Sequence, residues 1–266
     1  MNVIPLHASD LMIASCLVVL CAGVSFVLRL NLQRQILWAA IRTVLQLLLV
    51  GHLLRVVFTH ANPWLTLLII AVMMALAIRE VAARPKARLI QHGNLVISAV
   101  AVAAATLICV FFITNTAVQP TPWYDPRYVV ALVGIVLGSA LNAASLALDA
   151  VLSGVKRERL AIEARLSLGA TVRQAFSTLL RESVRRGIVP SINQMAAAGI
   201  ITLPGIMTGQ ILAGMDPTDA AKYQILLMFL LCGASSMAAM GAAYGAVRRL
   251  TDERGRLRLD RFREEI

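Results

Sequence analysis

The sequence predicts an all-α polytopic membrane protein: about seven transmembrane helices, a cytoplasmic elbow and a broken sixth span. Three observations predict it. First, 59% of the 266 residues are hydrophobic, only 15% are charged, and the mean hydropathy is +0.76. A soluble domain of this length carries about 25% charged residues. Second, the apolar residues collect into runs of about 20 or more, the length needed to cross a hydrocarbon core as helix. These runs lack the period-two alternation of a membrane β-barrel. Third, the net charge of +11 comes from Lys and Arg that bracket the apolar runs. Basic residues there face anionic lipid, which argues against nucleic acid as the partner.

Span one is expected near Asp10–Leu30, with Arg29 and Arg34 at its end. The N-terminus has no basic region before this run, so it reads as a retained span rather than a cleaved signal. Span two covers Ile36–Phe58 and turns through Thr59-His60-Ala61-Asn62. Pro63 opens span three, which ends at Ala83 before a loop carrying Arg84, Lys86 and Arg88. Span four is Asn94–Asn115, followed by a loop with Pro120, Pro122, Trp123, Tyr124 and Pro126 that suits a membrane–water interface. Span five is Tyr128–Ala150 and span six Gly187–Gly214, with Pro190 in the first turns of span six. Span seven is Lys222–Val247, and the mixed-charge tail 248–266 is expected to be a surface helix.

Loops after spans one, three, five and seven are rich in Lys and Arg, and the others are nearly bare of them. The positive-inside rule therefore puts the N-terminus outside and the C-terminus in the cytoplasm. Cys16, Cys21, Cys109 and Cys232 all lie in apolar runs without a C-x-x-C pair, so they read as small packing residues. His7, His52, His60 and His92 have no ligand spacing.

The long polar interval between spans five and six contains a predicted elbow. Leu160, Ala164, Ser167 and Leu168 follow helical spacing up to Gly169, a natural left-handed C-cap. Thr171 opens a capping box with Gln174, and Val172, Phe176, Leu179 and Leu180 give the next helix one apolar face. Glu163-Ala164 followed by Gly169 resembles the E-A-A…G loop of ATP-binding-cassette permeases, with Arg165 in place of the second alanine. The resemblance implies that Glu163, Ala164, Ser167, Leu168, Gly169, Ala170 and Thr171 engage a separate ATPase.

Within the spans, Arg42 is the deepest charge, and Gln46 lies one turn further on the same face. Arg42 either snorkels to the phosphates or belongs to a substrate path. Span five carries Gly134-x-x-x-Gly138 and then Asn142, Ser145 and Asp149, a small and polar stripe. Its glycines suit close helix packing, and Asn142 and Ser145 either bond across that contact or line a pathway. Leu203-Pro204-Gly205 interrupts span six and is expected to act as a hinge, because freed carbonyls at membrane depth need protein or water partners. Thr208 and Gln210 can supply such partners, while Met207 and Met215 are core residues or thioether contacts to a soft metal.

The run from Gly199 through Pro204-Gly205-Ile206-Met207-Thr208-Gly209-Gln210 to Gly214 resembles the signature of FetB-type permeases. These are iron-export subunits of ATP-binding-cassette transporters, related to a plant aluminium-tolerance half-transporter. Asp216-Pro217, Ala221-x-Tyr223-Gln224-Ile225, Leu166–Ala170 and Arg42-x-x-x-Gln46-Leu47 extend the similarity. Ile206 stands where methionine is expected, and Ser139 where asparagine is expected. The resemblance implies a single permease domain over 1–266, with a coupling segment at about 151–186.

The chain has no G-x-x-x-x-G-K-[ST] motif, so ATP belongs on a separate cytoplasmic ATPase. One elbow per chain and an odd span count suggest a homodimer over an ATPase dimer. Family resemblance implies export of iron or another metal ion from the bacterial inner membrane. A secondary transporter or channel for metal ions is the alternative class, as is a permease for a polar organic substrate such as a nucleotide sugar. Coupling acids are missing from the span interiors, which weighs against a secondary transporter. A membrane enzyme finds no H-E-x-x-H, no G-x-S-x-G and no paired intramembrane aspartates.

Overall fold

The computed structural model describes residues 8–60, 62–120, 122–252 and 254–262. Among them the regular structure is helical: α1 Ala8–Val27, α2 Gln33–His60, α3 Pro63–Ala83, α4 Gly93–Ile113, α5 Pro126–Ser167, α6 Val172–Ala175, α7 Ser177–Ala197, α8 Gly205–Leu212 and α9 Pro217–Leu250. Six of these helices are long and apolar enough to cross a membrane: α1, α2, α3, α4, α5 and α9. The expected sixth span is not one helix. It is divided into α7, a non-helical segment and α8. His7, Ala61 and Thr121 fall outside the described residues, as do Glu253 and 263–266 of the tail.

The chain forms two compact units. The first contains α1 and α2, with Leu212–Gly214. Along α2 most of the apolar side chains are exposed, among them Leu45, Leu47, Leu48 and Leu49, as expected of a helix that meets lipid or a partner.

The second unit spans the rest and holds the buried core. Alanine makes that core dense. Ala140, Ala143, Ala144 and Ala147 of α5 are buried, as are Ala234, Ala238, Ala239, Ala242, Ala243 and Ala246 of α9. Such small-residue stripes let backbones approach closely where lipid supplies no hydrophobic drive. Gly187 of α7 marks the tightest point. A Cβ there would lie 2.7 Å from the Ala143 carbonyl oxygen and 2.8 Å from the Ala239 Cβ. Gly134 has a similar role against Met73, whose Cε would be 3.2 Å away, whereas Gly138 has open space beside it. The expected glycine pair therefore packs at only one of its two positions within this unit.

Local signals explain the helix starts. Asp125 and Asp216 each precede a proline at the first helical position and accept backbone N–H bonds, from Arg127 at 3.0 Å and from Thr218 at 2.8 Å. Two boundaries correct the sequence reading. α5 does not stop at Ala150 but runs to Ser167, about 63 Å at 1.5 Å per residue, roughly twice a hydrocarbon core. It bends at Glu158, whose φ of −104° and ψ of 15° leave the helical region. α7 begins at Ser177, so Pro190 lies in the interior of that helix rather than in its first turns. Proline there costs the Arg186 carbonyl its usual i→i−4 partner.

The basic segments of this unit gather at one end. Asp149 accepts the Lys86 backbone N–H at 3.2 Å, and buried Asn94 accepts the Leu89 N–H at 3.2 Å, fixing the α3–α4 loop. The tail is not a surface helix. Thr251 bridges Leu257 around a turn with Gly255 at φ 72°, and Leu259–Arg261 forms a single 3₁₀ turn. Phe262 then pairs with Leu89 and lies under the Lys156 ammonium, 5.3 Å from the ring centroid. Asp252 closes the turn by accepting the Arg256 N–H at 2.7 Å, which outweighs helix propensity over so short a stretch.

Candidate coupling elbow and translocation site

The elbow forms as its residue types dictate. α5 ends with Gly169 at φ 89°, the left-handed conformation that costs glycine little. The Ala170 N–H bonds the Arg165 carbonyl at 3.0 Å and the Gly169 N–H bonds the Leu166 carbonyl at 3.0 Å. This pair of bonds is a complete Schellman motif. Thr171 follows in extended conformation. Its N–H donates to Gln174 Oε1 at 2.9 Å, and its Oγ1 accepts the Gln174 N–H at 3.3 Å, closing the expected capping box. Arg165 replaces the alanine of the familiar loop and has a use of its own: its guanidinium donates to the Ala175 carbonyl across the turn at 3.2 Å.

The second limb is anchored by its apolar face. Phe176 is fully buried, and Leu179 and Leu180 are buried against α5. Leu179 occupies the space a Cβ on Gly154 would need, with its Cδ1 2.3 Å from that position. The outer side stays open. Ala164, Ser167 and Gly169 are exposed, Leu168 is 87% exposed, and Glu163 and Ala170 are half-buried. Glu163, Ser167, Ala170 and Thr171 also line a groove of about 480 Å³ with Arg254 and Arg256 of the tail. A rigid turn that presents a leucine beside polar groups can seat in a partner's cleft.

The break between α7 and α8 is a built structure too. Gly199, at φ 86°, donates its N–H to the Thr202 carbonyl at 2.9 Å, and the Ala197 carbonyl accepts from Ile201 and Thr202. Pro204 stands at the edge of α8 rather than inside a helix. Its carbonyl accepts both the Thr208 N–H at 3.0 Å and the Thr208 hydroxyl at 3.1 Å, the partner expected from the sequence. The Gln210 carbonyl accepts the Met215 N–H at 3.0 Å, and Gln210 Oε1 is buried without a hydrogen-bond partner among the described residues. Leu203 and Gly205 are exposed, Met207 and Thr208 half-buried, and Met215 is 38% exposed.

Other predicted site residues are placed differently. Arg42 and Gln46 belong to the first unit, one turn apart and both exposed on α2. Asn142 accepts a bond from the Arg84 guanidinium at 2.9 Å, and the Ser145 hydroxyl bonds its own helix at the Leu141 carbonyl, 2.7 Å away. Asn142 and Asp149 of the α5 stripe thus hold the basic α3–α4 loop, while Ser145 bonds within its own helix. No group of three or more His, Cys, Asp or Glu side chains among the described residues is arranged to hold a metal. Sequence reasoning missed Gly187 and the alanine stripes, although small residues at i and i+4 are a readable signal.

A profile described as uncharacterised protein family UPF0014 matches residues 8–251. The chain belongs to the UPF0014 family. Its relatives include a UPF0014 membrane protein of Synechocystis, 42% identical over 206 residues, covering 76% of this chain and 77% of that one. The probable iron export permease protein FetB of Escherichia coli is 31% identical over 251 residues and 93% of each chain. The UPF0014 membrane protein STAR2 of rice is 31% identical over 232 residues, 87% of this chain and 79% of the other. No solved structure matches this UPF0014 chain. The matched region contains all the transmembrane helices, the elbow and the broken segment, so this is a multi-pass membrane protein throughout.

Proposed function

We propose that this UPF0014 protein is the permease subunit of an ATP-binding-cassette transporter in the bacterial inner membrane, N-terminus outside, and that it exports iron or another metal ion. The observation that carries the proposal is the elbow. Two successive capping motifs hold a sharp, exposed turn beyond the membrane-length part of α5. The whole chain serves as one permease domain and performs no catalysis itself. A separate ATPase binds ATP, receives Glu163 and Leu168 at the elbow, and drives the cycle, with two permease chains over two ATPase chains. The permease name of the Escherichia coli relative supports the class, and its iron-export name supports the cargo.

The cargo would pass the α7–α8 break, where backbone carbonyls, Thr208, Gln210 and Met207 cluster along one short segment. Arg42 and Gln46, Asn142 and Ser145 are candidates for the rest of the path, with Met215 as a weaker sulfur contact. The test is reconstitution of the chain with stand-alone ABC ATPases from the same genome. ATP-dependent iron efflux from proteoliposomes is expected with wild type and lost with Glu163→Arg, which still inserts. Efflux without any ATPase, driven by an ion gradient, would overturn the reading in favour of a secondary transporter.

A further inference from the structure

A groove of about 420 Å³ runs between α7 and α9. Its two ends differ in chemistry. The floor is apolar, from Val184, Ile188 and Ile192 of α7 and Met240 of α9. The rim towards the start of α7 carries Arg181 and Arg185, faced by Tyr244 of α9. Arg173 continues the basic rim from α6. These residues form one stripe, because 181, 185, 188 and 192 follow the spacing of a single helix face. Arg173, Arg181 and Arg185 are exposed, and among the described residues no ion pair engages them.

Their depth can be read from the packing. Gly187 touches α5 at Ala143 and Ala147, and Leu179 touches it at Gly154. Arg181 and Arg185 therefore lie between those levels, at about the height along α5 of Asp149, which binds the Lys86 backbone in the basic α3–α4 loop. This is the plane where Arg and Lys gather at one end of the unit, and a half-exposed tyrosine at the same level is the usual residue of a membrane interface. Further from the elbow along the same groove, Ile192 and Met240 are exposed.

We propose that the α7–α9 groove binds one anionic phospholipid, with the phosphate held by Arg181 and Arg185 and an acyl chain laid along Val184, Ile188, Ile192 and Met240. Charge complementarity selects the occupant: paired guanidinium groups match phosphate oxygens, and the apolar floor begins where a lipid's ester region ends. Tyr244 caps the headgroup from α9. The bound lipid would brace α7, the helix that joins the elbow to the break. The inference rests on the membrane placement alone, and its test needs no ATPase, so it stands or falls separately from the transport reading.

The test uses the full chain purified in mild detergent, with native mass spectrometry of phosphatidylglycerol and phosphatidylcholine of identical acyl chains. Phosphatidylglycerol is expected to bind about tenfold tighter, and Arg181→Gln with Arg185→Gln to remove that preference while leaving phosphatidylcholine unchanged. Arg159→Gln with Arg254→Gln, which removes the same charge elsewhere, should keep the preference. Arg181→Lys with Arg185→Lys should retain most of it and serves if the glutamine variant does not fold. Equal binding of the two lipids would overturn the proposal, as would an unchanged glutamine variant or equal loss in the charge-matched control. Displacement by equimolar inorganic phosphate would assign the arginines to a free anion.

Discussion

At Gly187 the side chain is a single hydrogen because three helices meet there. The Ala143 carbonyl and the Ala239 methyl leave no room for a Cβ. Gly187→Ala should lower stability by about 1–3 kcal/mol, as overpacking does. Gly138→Ala should be neutral or stabilising by up to about 1 kcal/mol, since nothing lies within 4 Å of its Cβ position and alanine is the better helix former. Thermal unfolding of both variants in detergent decides this, and equal effects would refute the packing account. Gly169 carries a different burden, a backbone at φ 89°. Gly169→Ala should cost about 1–2 kcal/mol locally and loosen the elbow. The readout is ATPase stimulation by the reconstituted permease, expected to fall while membrane insertion is retained.

At the scale of elements, the α7–α8 break behaves as a folded loop and not as a kinked helix. Gly199 and the Ala197 carbonyl close it, so Pro204→Ala can lengthen α8 by a residue or so without fusing it to α7. The expected result is a permease of wild-type stability with a strong defect in export. Normal export by reconstituted Pro204→Ala would remove the hinge role. Met207→Leu keeps volume and removes sulfur, and only a mild export defect is expected.

The tail turn adds a pH response. The backbone N–H of Arg256, then its guanidinium, hold the Asp252 carboxyl below its ordinary value. A depressed folded value means that this contribution is present above the ordinary carboxylate range and is lost as pH falls through the folded value. Hydrogen exchange at the Arg254 and Arg256 amides should therefore speed up, beyond the intrinsic pH trend, only as the pH falls below the ordinary carboxylate range. Asp252→Asn should give the faster exchange already at neutral pH. Identical protection in that variant would show that the carboxylate does not hold the turn.

Across the whole molecule, the prediction concerns sides. The basic segments of the larger unit collect at one end, as the alternation of loops requires. Cysteines introduced at Asn62 and at Thr121, the latter outside the described residues, should react with an impermeant maleimide in intact cells. A cysteine at Lys86 should not. Labelling at Lys86 would invert the orientation and place the elbow away from ATP.

The chain's own residues determined a good deal. Apolar runs marked the six helices long enough to cross a membrane, Asp-Pro pairs set two helix starts, and Gly169 and Thr171 wrote the elbow in short-range capping chemistry that needs no tertiary help. The glycine-proline run announced an interruption, because its backbone chemistry breaks helices wherever it lies. Tertiary structure decided what depends on neighbours distant in sequence. Helical spacing over residues 160–168 was legible, but its joining to span five was not, because the charged stretch between them carries no apolar run; α5 continues through it, bent at Glu158, with its inner face buried against α7. The tail's fold came from Asp252 and from docking of Phe262, not from propensity. The duty of Asn142 came from Arg84, 58 residues away in the chain. Spacing places a side chain on a face, but only the packed helices decide what that face meets.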